Sequence, residues 1–271
     1  MIKKLTALID TCNNAVPKIS TIKRFVDYLS VFGYDSLMIC VEETYKIDGE
    51  PKFAYMRGAY SKEEIKSLDD YCKSKNIELI PSIQTLAHLT GMFKHAEYFN
   101  YYDIDDTLLL CEKSYELIEK MISSISDCFS SRTINLGMDE AKLLGRGNYL
   151  KKNPYEEKRV LFLRHLERVI DIAKKYGYTQ IKVWHDGVAD AEIGDNHYYS
   201  DDSPDKSKKI SEDVIPIYCD YGNFTKNNSV ENFQNHIRKY RDINGKIAFA
   251  GGLWKWSDFI PDNYFSIKMA E

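Results

Sequence analysis

The chain has 271 residues with 37 basic and 41 acidic side chains, a formal charge of −4, which leaves no basic footprint for nucleic acid or an anionic membrane. Hydrophobic residues make up 44% of it, enough for a sizeable core, and no stretch approaches the roughly 20 apolar residues that cross a bilayer. The lysines of MIKKLTALID precede no apolar run of signal-peptide length, and the six cysteines lie scattered without a CxxC pair; buried thiols and a cytoplasmic setting are expected.

A short apolar run, a loop and an amphipathic stretch of helical period alternate along the chain. The first strand is read at Leu5–Ile9, followed by a helix with Ser20 as N-cap and Ile22, Phe25, Val26 and Leu29 on one face. Gly33 stands where a helix ends. A second strand spans Leu37–Val41, and Ser61 with Glu64 forms the pattern of a capping box that opens the next helix. The third strand, Ile77–Ile83, contains Pro81, which predicts a bulge or a strand end. Tyr115, Ile118, Met121, Ile122 and Ile125 mark another helix before a strand at Ile134–Gly137. A long helix at Val160–Tyr176 stops at Gly177, and strands follow near Ile181–Trp184, Val214–Tyr218 and Ile247–Ala250. Residues 187–212 read as a polar loop, and Ser229–Tyr240 as a helix.

Strand–helix alternation with short connections means parallel βαβ units. Seven strands are counted, and the chain reads as a single α/β domain over 1–271, a (β/α)₈ barrel ending before its eighth strand. Such a sheet exposes two edges, so a second copy covering them is an expectation. An open doubly wound sheet is disfavoured, because no glycine-rich phosphate loop follows the first strand.

In parallel barrels the active site lies at the C-terminal ends of the strands. Those ends carry Asp10, then Glu42 and Glu43, His88 in TLAH, and Asp139 with Glu140 in INLGMDEA. Further on come Trp184, His185 and Asp186 in VWHDG, Asp220 and Tyr221 in YCDYG, and Trp254 and Trp256 in LWKW. Polar strand ends ordinarily cap helices; the recurrence of carboxylates and tryptophans around a whole rim argues for a site. If Asp139 and Glu140 continue a strand, their side chains take opposite directions and can serve different tasks. Two close carboxylates near tryptophan also tend to titrate apart. No histidine spacing supports a metal site, and no metal or cofactor is expected.

The motifs ETYKIDGEPKFAYMRGAYSKEEI and ELIPSIQTLAHL, taken with LID at Asp10, the Asp139–Glu140 pair and the tryptophans near Trp254, resemble glycoside hydrolase family 20, the β-N-acetylhexosaminidases. The resemblance implies an exo-acting hydrolase releasing terminal β-linked N-acetylglucosamine or N-acetylgalactosamine from a glycan. It implies substrate-assisted, retaining chemistry in which the sugar's own acetamido oxygen attacks the anomeric carbon to form an oxazolinium. Glu140 then resembles the general acid and base, and Asp139 the group that orients the acetamido nitrogen. His88, Asp10 and Glu43 resemble substrate-site residues, with Glu43 standing where the family commonly has aspartate. Trp184 and Trp254 would wall the acetamido pocket, with Trp256 alternating away from it, and Asp220 would contact sugar hydroxyls.

Three departures bear on function. Leu5 stands where the family has an arginine, Gly222 where it has a tyrosine (Tyr221 is adjacent and could substitute), and the final Trp- and Glu-bearing strand is not in the chain. A charged hydrogen bond to a sugar contributes ~1.5–3 kcal/mol, so the alternative expectation is a degenerate barrel that binds carbohydrate without turnover.

Overall fold

The computed structural model describes residues 4–12, 16–185, 210–219, 234, 237–238, 241 and 245–252. In chain order the regular elements are β1 (Thr6–Asp10), α1 (Ile19–Val31), β2 (Ser36–Cys40), α2 (Lys62–Ser74), β3 (Glu78–Ser82), β4 (Tyr102–Ile104), β5 (Thr107–Leu108), α3 (Glu112–Ser126), β6 (Thr133–Asn135), α4 (Lys158–Lys175), β7 (Gln180–Trp184), β8 (Val214–Cys219) and β9 (Ala248–Ala250), with short 3₁₀ turns between some of them. One sheet runs β1-β2-β3-β6-β7-β8-β9, every neighbouring pair parallel, and β4 pairs antiparallel with β5 as a separate hairpin. Among the described residues this is a seven-stranded parallel sheet of the (β/α)₈ barrel type that the alternation predicts. Among the described residues β1 and β9 are the sheet's edges.

The alternation of side chains along each strand sorts the molecule into two faces. Leu37, Ile39, Leu79, Ile134, Ile181 and Val183 point outward and are buried beneath the helices. There they meet Ile22, Val26 and Leu29 of α1, Leu68 of α2, Ile118 and Ile122 of α3, and Leu166 and Val169 of α4. Each such side chain contributes about 1.5–3 kcal/mol by leaving water, so this helix–sheet layer carries most of the stability. The inner face is mixed. Met38, Ile80 and Ile217 form a small apolar cluster, while Ser36 bonds Thr6 at 2.7 Å and Asn135 donates to Ser82 at 3.0 Å. Leu8, on the inner face of β1, is 44% exposed, in keeping with β1 lying at an edge of the sheet among the described residues.

The register aligns Asp10 with Cys40, Cys40 with Ser82, Ser82 with Asn135 and Asn135 with Lys182. These five positions form one layer near the C-terminal rim.

Several local expectations change. Helix α1 begins at Ile19 with Lys18 as N-cap and no side-chain cap, so Ser20 lies inside its first turn. The apolar face reaches back one residue further than the capping pattern suggests, and Pro17 precedes the cap. Ser61 does cap α2 with Glu64 in a full capping box. Pro81 sits within β3 in register with Ile39. Ile83 N–H reaches Asn135 O, so by alternation the donor that Pro81 lacks faces β6. The ladder on that side is accordingly limited to the single Ser82–Asn135 pair. The β4–β5 hairpin had no sequence expectation, and the helix at 229–240 falls largely outside the described residues.

Candidate active site

Strand β6 ends at Asn135, and the chain then turns through Gly137, Met138 and Glu140, all with positive φ (71°, 70° and 54°). Gly137 has no substitute there. A Cβ would lie 1.9 Å from Gln84 Oε1 and 2.7 Å from Ile83 O. The neighbouring carbonyls are held as tightly, Leu136 O by the Thr85 hydroxyl (2.8 Å) and Gly137 O by Trp184 N–H (3.1 Å).

Gln84 joins this turn to the carboxylates. Its Oε1 accepts from Met138 N–H at 3.2 Å while its Nε2 donates to Asp139 Oδ1 at 2.8 Å. The side chain is buried, so one amide fixes both the left-handed backbone and the Asp139 carboxyl. Strand alternation therefore does not separate Asp139 from Glu140, because neither lies on a strand. The turn instead aims both at one ring: His88 Nε2 is 3.2 Å from Asp139 Oδ2 and 3.7 Å from Glu140 Oε2.

His88 also has positive φ (58°) and leaves the rim after β3. Two braces hold its loop. Beneath it the fully buried His165 of α4 contacts Thr85 O through Nε2 at 3.1 Å and Tyr115 Oη through Nδ1 at 3.3 Å. Beside it the β4–β5 hairpin bonds Leu108 N–H to Leu86 O and Leu89 N–H to Asp106 O. The same hairpin brings Asp106 Oδ2 to 3.7 Å from His88 Nδ1. Asp103 of β4 then accepts from Gly145 N–H (2.9 Å) and Tyr149 N–H (2.7 Å), tying the hairpin to the segment that follows Glu140.

Electrostatics follow from this crowding. The hydrogen bond to Asp139 raises the His88 pKa to about 9 against the opposing effect of burial, with the charges of Asp139, Asp106 and Glu42 adding to it. His88 is thus an imidazolium at neutral pH, set between carboxylates. Burial pushes Glu42 up to about 7; the charge of His88 opposes this, and those of Asp10 and Glu43 reinforce it. Glu140, with 42% of its side chain exposed, faces solvent more than Asp139 at 19%. A cation holding one shielded and one open carboxyl suits a site that steadies positive charge on one group and exchanges a proton at the other.

The expected residues divide into three sets. His88, Asp139 and Glu140 come together; Glu42, named at the rim from the sequence without a role, joins them, as do Gln84 and Asp106, which sequence reasoning had not placed in the site. Glu43 is not brought to this group. It is buried, accepts from Met92 N–H, and lies 3.7 Å from Arg57 Nε, bracing the loop after β3. Asp10 ends β1 and accepts from Cys12 N–H at 2.7 Å. Trp184 ends β7 on the inner face, partly buried against Met38, Ile80 and Ile217. His185 is buried, accepting from Cys219 N–H at 3.2 Å and packing on Tyr218. Asp186, Asp220, Tyr221, Gly222, Trp254 and Trp256 lie outside the described residues. Leu5 stands just ahead of β1, at the opposite end of that strand from Asp10, with its N–H on Asp35 Oδ2 at 2.6 Å.

Residues 6–207 match the family model for the glycosyl hydrolase family 20 catalytic domain. Hexosaminidase D of Bos taurus is 25% identical over 218 residues, covering 77% of this chain and 60% of the bovine protein. Hexosaminidase D of Homo sapiens is 25% identical over 186 residues, 65% of this chain and 38% of the human protein. The chain thus spans between about two fifths and three fifths of these relatives' length. Among solved structures, a Flavobacterium johnsoniae chitobiase superposes with a TM-score of 0.68 at 14% identity, covering 93% of this chain and 38% of that one. A Streptomyces plicatus β-hexosaminidase mutant in complex with the product GlcNAc gives 0.65 at 18%, covering 92% and 47%. At these identities the structural likeness speaks for the barrel fold, and it is the family match over about three quarters of the sequence that assigns the chain: it belongs to glycosyl hydrolase family 20, whose catalytic domain it carries.

Proposed function

We propose that the chain is the catalytic barrel of an exo-β-N-acetylhexosaminidase that removes terminal β-linked N-acetylhexosamine by substrate-assisted, retaining hydrolysis. The convergence of Asp139 and Glu140 on the His88 imidazolium carries this reading. In the proposed reaction the acetamido oxygen of the bound sugar attacks its own anomeric carbon while Glu140 gives its proton to the departing glycosidic oxygen. Asp139 accepts the acetamido N–H and balances the positive charge of the oxazolinium. Glu140, now a carboxylate, takes a proton from the water that opens the ring. His88 and Gln84 hold Asp139 from two sides and leave Glu140 the more open group.

The test is release of nitrophenol from 4-nitrophenyl N-acetyl-β-glucosaminide and its galacto epimer by the full chain. Glu140→Gln is expected to lower kcat/KM by about 10²–10⁴-fold; equal rates from both proteins would sink the proposal. A second reading, a barrel of the same family that binds glycan without turnover, is favoured by Leu5 and Gly222, where the family pattern has arginine and tyrosine. Calorimetry separates the two. Tight binding of a thiazoline mimic of the oxazolinium supports turnover, binding of N-acetylhexosamine without hydrolysis supports the second reading, and no binding of either defeats both.

A further inference from the structure

The ends of β1 and β2 carry a second cluster, independent of His88, Asp139 and Glu140. Cys12 Sγ lies 3.2 Å from Cys40 Sγ, and the donor atoms of Asp10, Cys12 and Cys40 all fall within 4.8 Å of one another. Strand register causes this proximity, since Asp10 and Cys40 are direct partners in the β1–β2 ladder. Cys12, two residues beyond Asp10, is folded back over the ladder by Thr11, whose N–H and hydroxyl both bond Cys40 O (3.1 and 2.7 Å). The Thr11 hydroxyl also meets the Thr44 hydroxyl at 2.8 Å. Arg57 donates to Cys12 O from outside the cluster. The Cys12 thiol is oriented toward Cys40 O (3.5 Å) and Cys40 Sγ (3.2 Å).

We infer that Cys12, Cys40 and Asp10 form a site for a soft divalent cation of the zinc type, with a solvent molecule as its fourth ligand. Two thiolates and a carboxylate are a donor set that favours zinc or cadmium over magnesium or calcium. A tetrahedral ion with Zn–S bonds of about 2.3 Å places its sulfurs about 3.8 Å apart, so the two thiols need only part by about 0.6 Å. Outer-shell contacts hold the ligands in place before any ion arrives, as metal sites require: Cys12 N–H orients Asp10, and Thr11 fixes the carbonyl behind Cys40. Binding releases one proton from each thiol, and the two thiolate charges offset those of the ion.

The experiment is titration of the fully reduced chain with cadmium chloride, following the ultraviolet sulfur-to-cadmium charge-transfer band and counting released protons. One ion per chain, about two protons, and a band that survives in Cys72→Ser are expected. In Cys40→Ser the band falls by about half and the affinity by roughly a hundredfold. Cys40 is only partly buried, so this variant tests the site without emptying a packed position; Cys12→Ser, whose fold circular dichroism checks, gives the same loss. Absence of the band, or a band unchanged in Cys40→Ser, overturns the inference. Because the band reports binding directly, this result is independent of whether the chain hydrolyses any glycoside.

Discussion

Replacing His88 with asparagine tests the centre of the site most directly. Asparagine accepts the left-handed backbone that residue 88 adopts (φ 58°) at little cost, but it is too short and uncharged to reach Asp139. The change therefore removes the imidazolium and spares the loop. A hydrogen bond to a charged group contributes about 1.5–3 kcal/mol. With the His88 side chain 28% and the Asp139 side chain 19% exposed, solvent screens part of that interaction, which places the loss near the lower end, about 1.5–2 kcal/mol. Gln84 still donates to the other Asp139 oxygen, so the carboxyl keeps one anchor. At 1.36 kcal/mol per decade, kcat/KM falls about ten- to thirtyfold at neutral pH.

The pH profile makes the test specific. The His88 pKa is raised from 6.5 to about 9 in the fold, so the cation it supplies is present at neutral pH and disappears as pH rises through 9. The wild-type kcat/KM profile is expected to fall along that alkaline limb, and the asparagine variant to lack it. Stability follows the same sign. The contribution is complete below pH 6.5 and lost as pH climbs to about 9, so urea midpoints of wild type and variant converge over that interval. Assays on the 4-nitrophenyl substrate at pH 5–10, with parallel urea unfolding, read both effects. A His88→Asn variant within twofold of wild type that keeps its alkaline limb would refute the reasoning.

Three further outcomes follow from particular contacts. Gly137→Ala forces a Cβ to within 1.9 Å of Gln84 Oε1 at φ 71°, and urea unfolding should show a loss of about 2 kcal/mol or more together with a fall in activity, because Gln84 also holds Asp139. His165 is fully buried and its pKa is lowered to about 4, first by burial; from pH 6.5 down to about 4 the unfolded chain takes a proton that the native chain does not, so stability drops by up to about 3 kcal/mol on acidification, and His165→Phe flattens that acid limb in a pH series of thermal melts. Ser61→Ala removes the hydroxyl that accepts from Glu64 N–H at 3.2 Å, and chemical unfolding should register about 1 kcal/mol with no change in KM.

What the sequence made legible and what it did not divide along a physical line. Period and punctuation are local properties, and they located every strand of the sheet and the Ser61–Glu64 cap. The Asp139–Glu140 pair and His88 were found because they follow apolar runs that could only be strands, at the rim where barrels place their chemistry. The geometry that makes them a site depends on non-local contacts. Read as a continuation of β6, Asp139 and Glu140 diverge; in the fold Gly137 and Met138 turn left-handed, and both carboxyls reach one imidazole. Left-handed φ at a buried methionine has no signature in composition, since a Gln84 carbonyl from another loop imposes it. Gln84 itself carried a weak signal, a polar side chain inside the IPSIQTLAHL segment. Asp106 carried none, because the β4–β5 hairpin that delivers it is too short to show a period.

Glu42 and Glu43 show why residue type at a strand end is not yet a role. The two are adjacent and chemically equivalent, and the sequence comparison favoured Glu43 by its alignment with an aspartate. In the fold Glu43 turns under the loop after β3 to satisfy the Met92 amide beside Arg57, whereas Glu42, with φ at 29°, stays among His88, Asp10 and Cys12. The difference has a physical origin. A buried carboxylate must be hydrogen-bonded or neutralised, and Glu43 has the Met92 amide and the Arg57 guanidinium within reach. Glu42 is left in a crowded acidic setting where its pKa rises to about 7, so its charge responds to pH near neutrality. A neighbour of His88 that changes charge in that range alters the field on Asp139 and Glu140. The rim of this barrel therefore behaves as one coupled set of acids around a single imidazolium, with the two thiols of Cys12 and Cys40 at its edge.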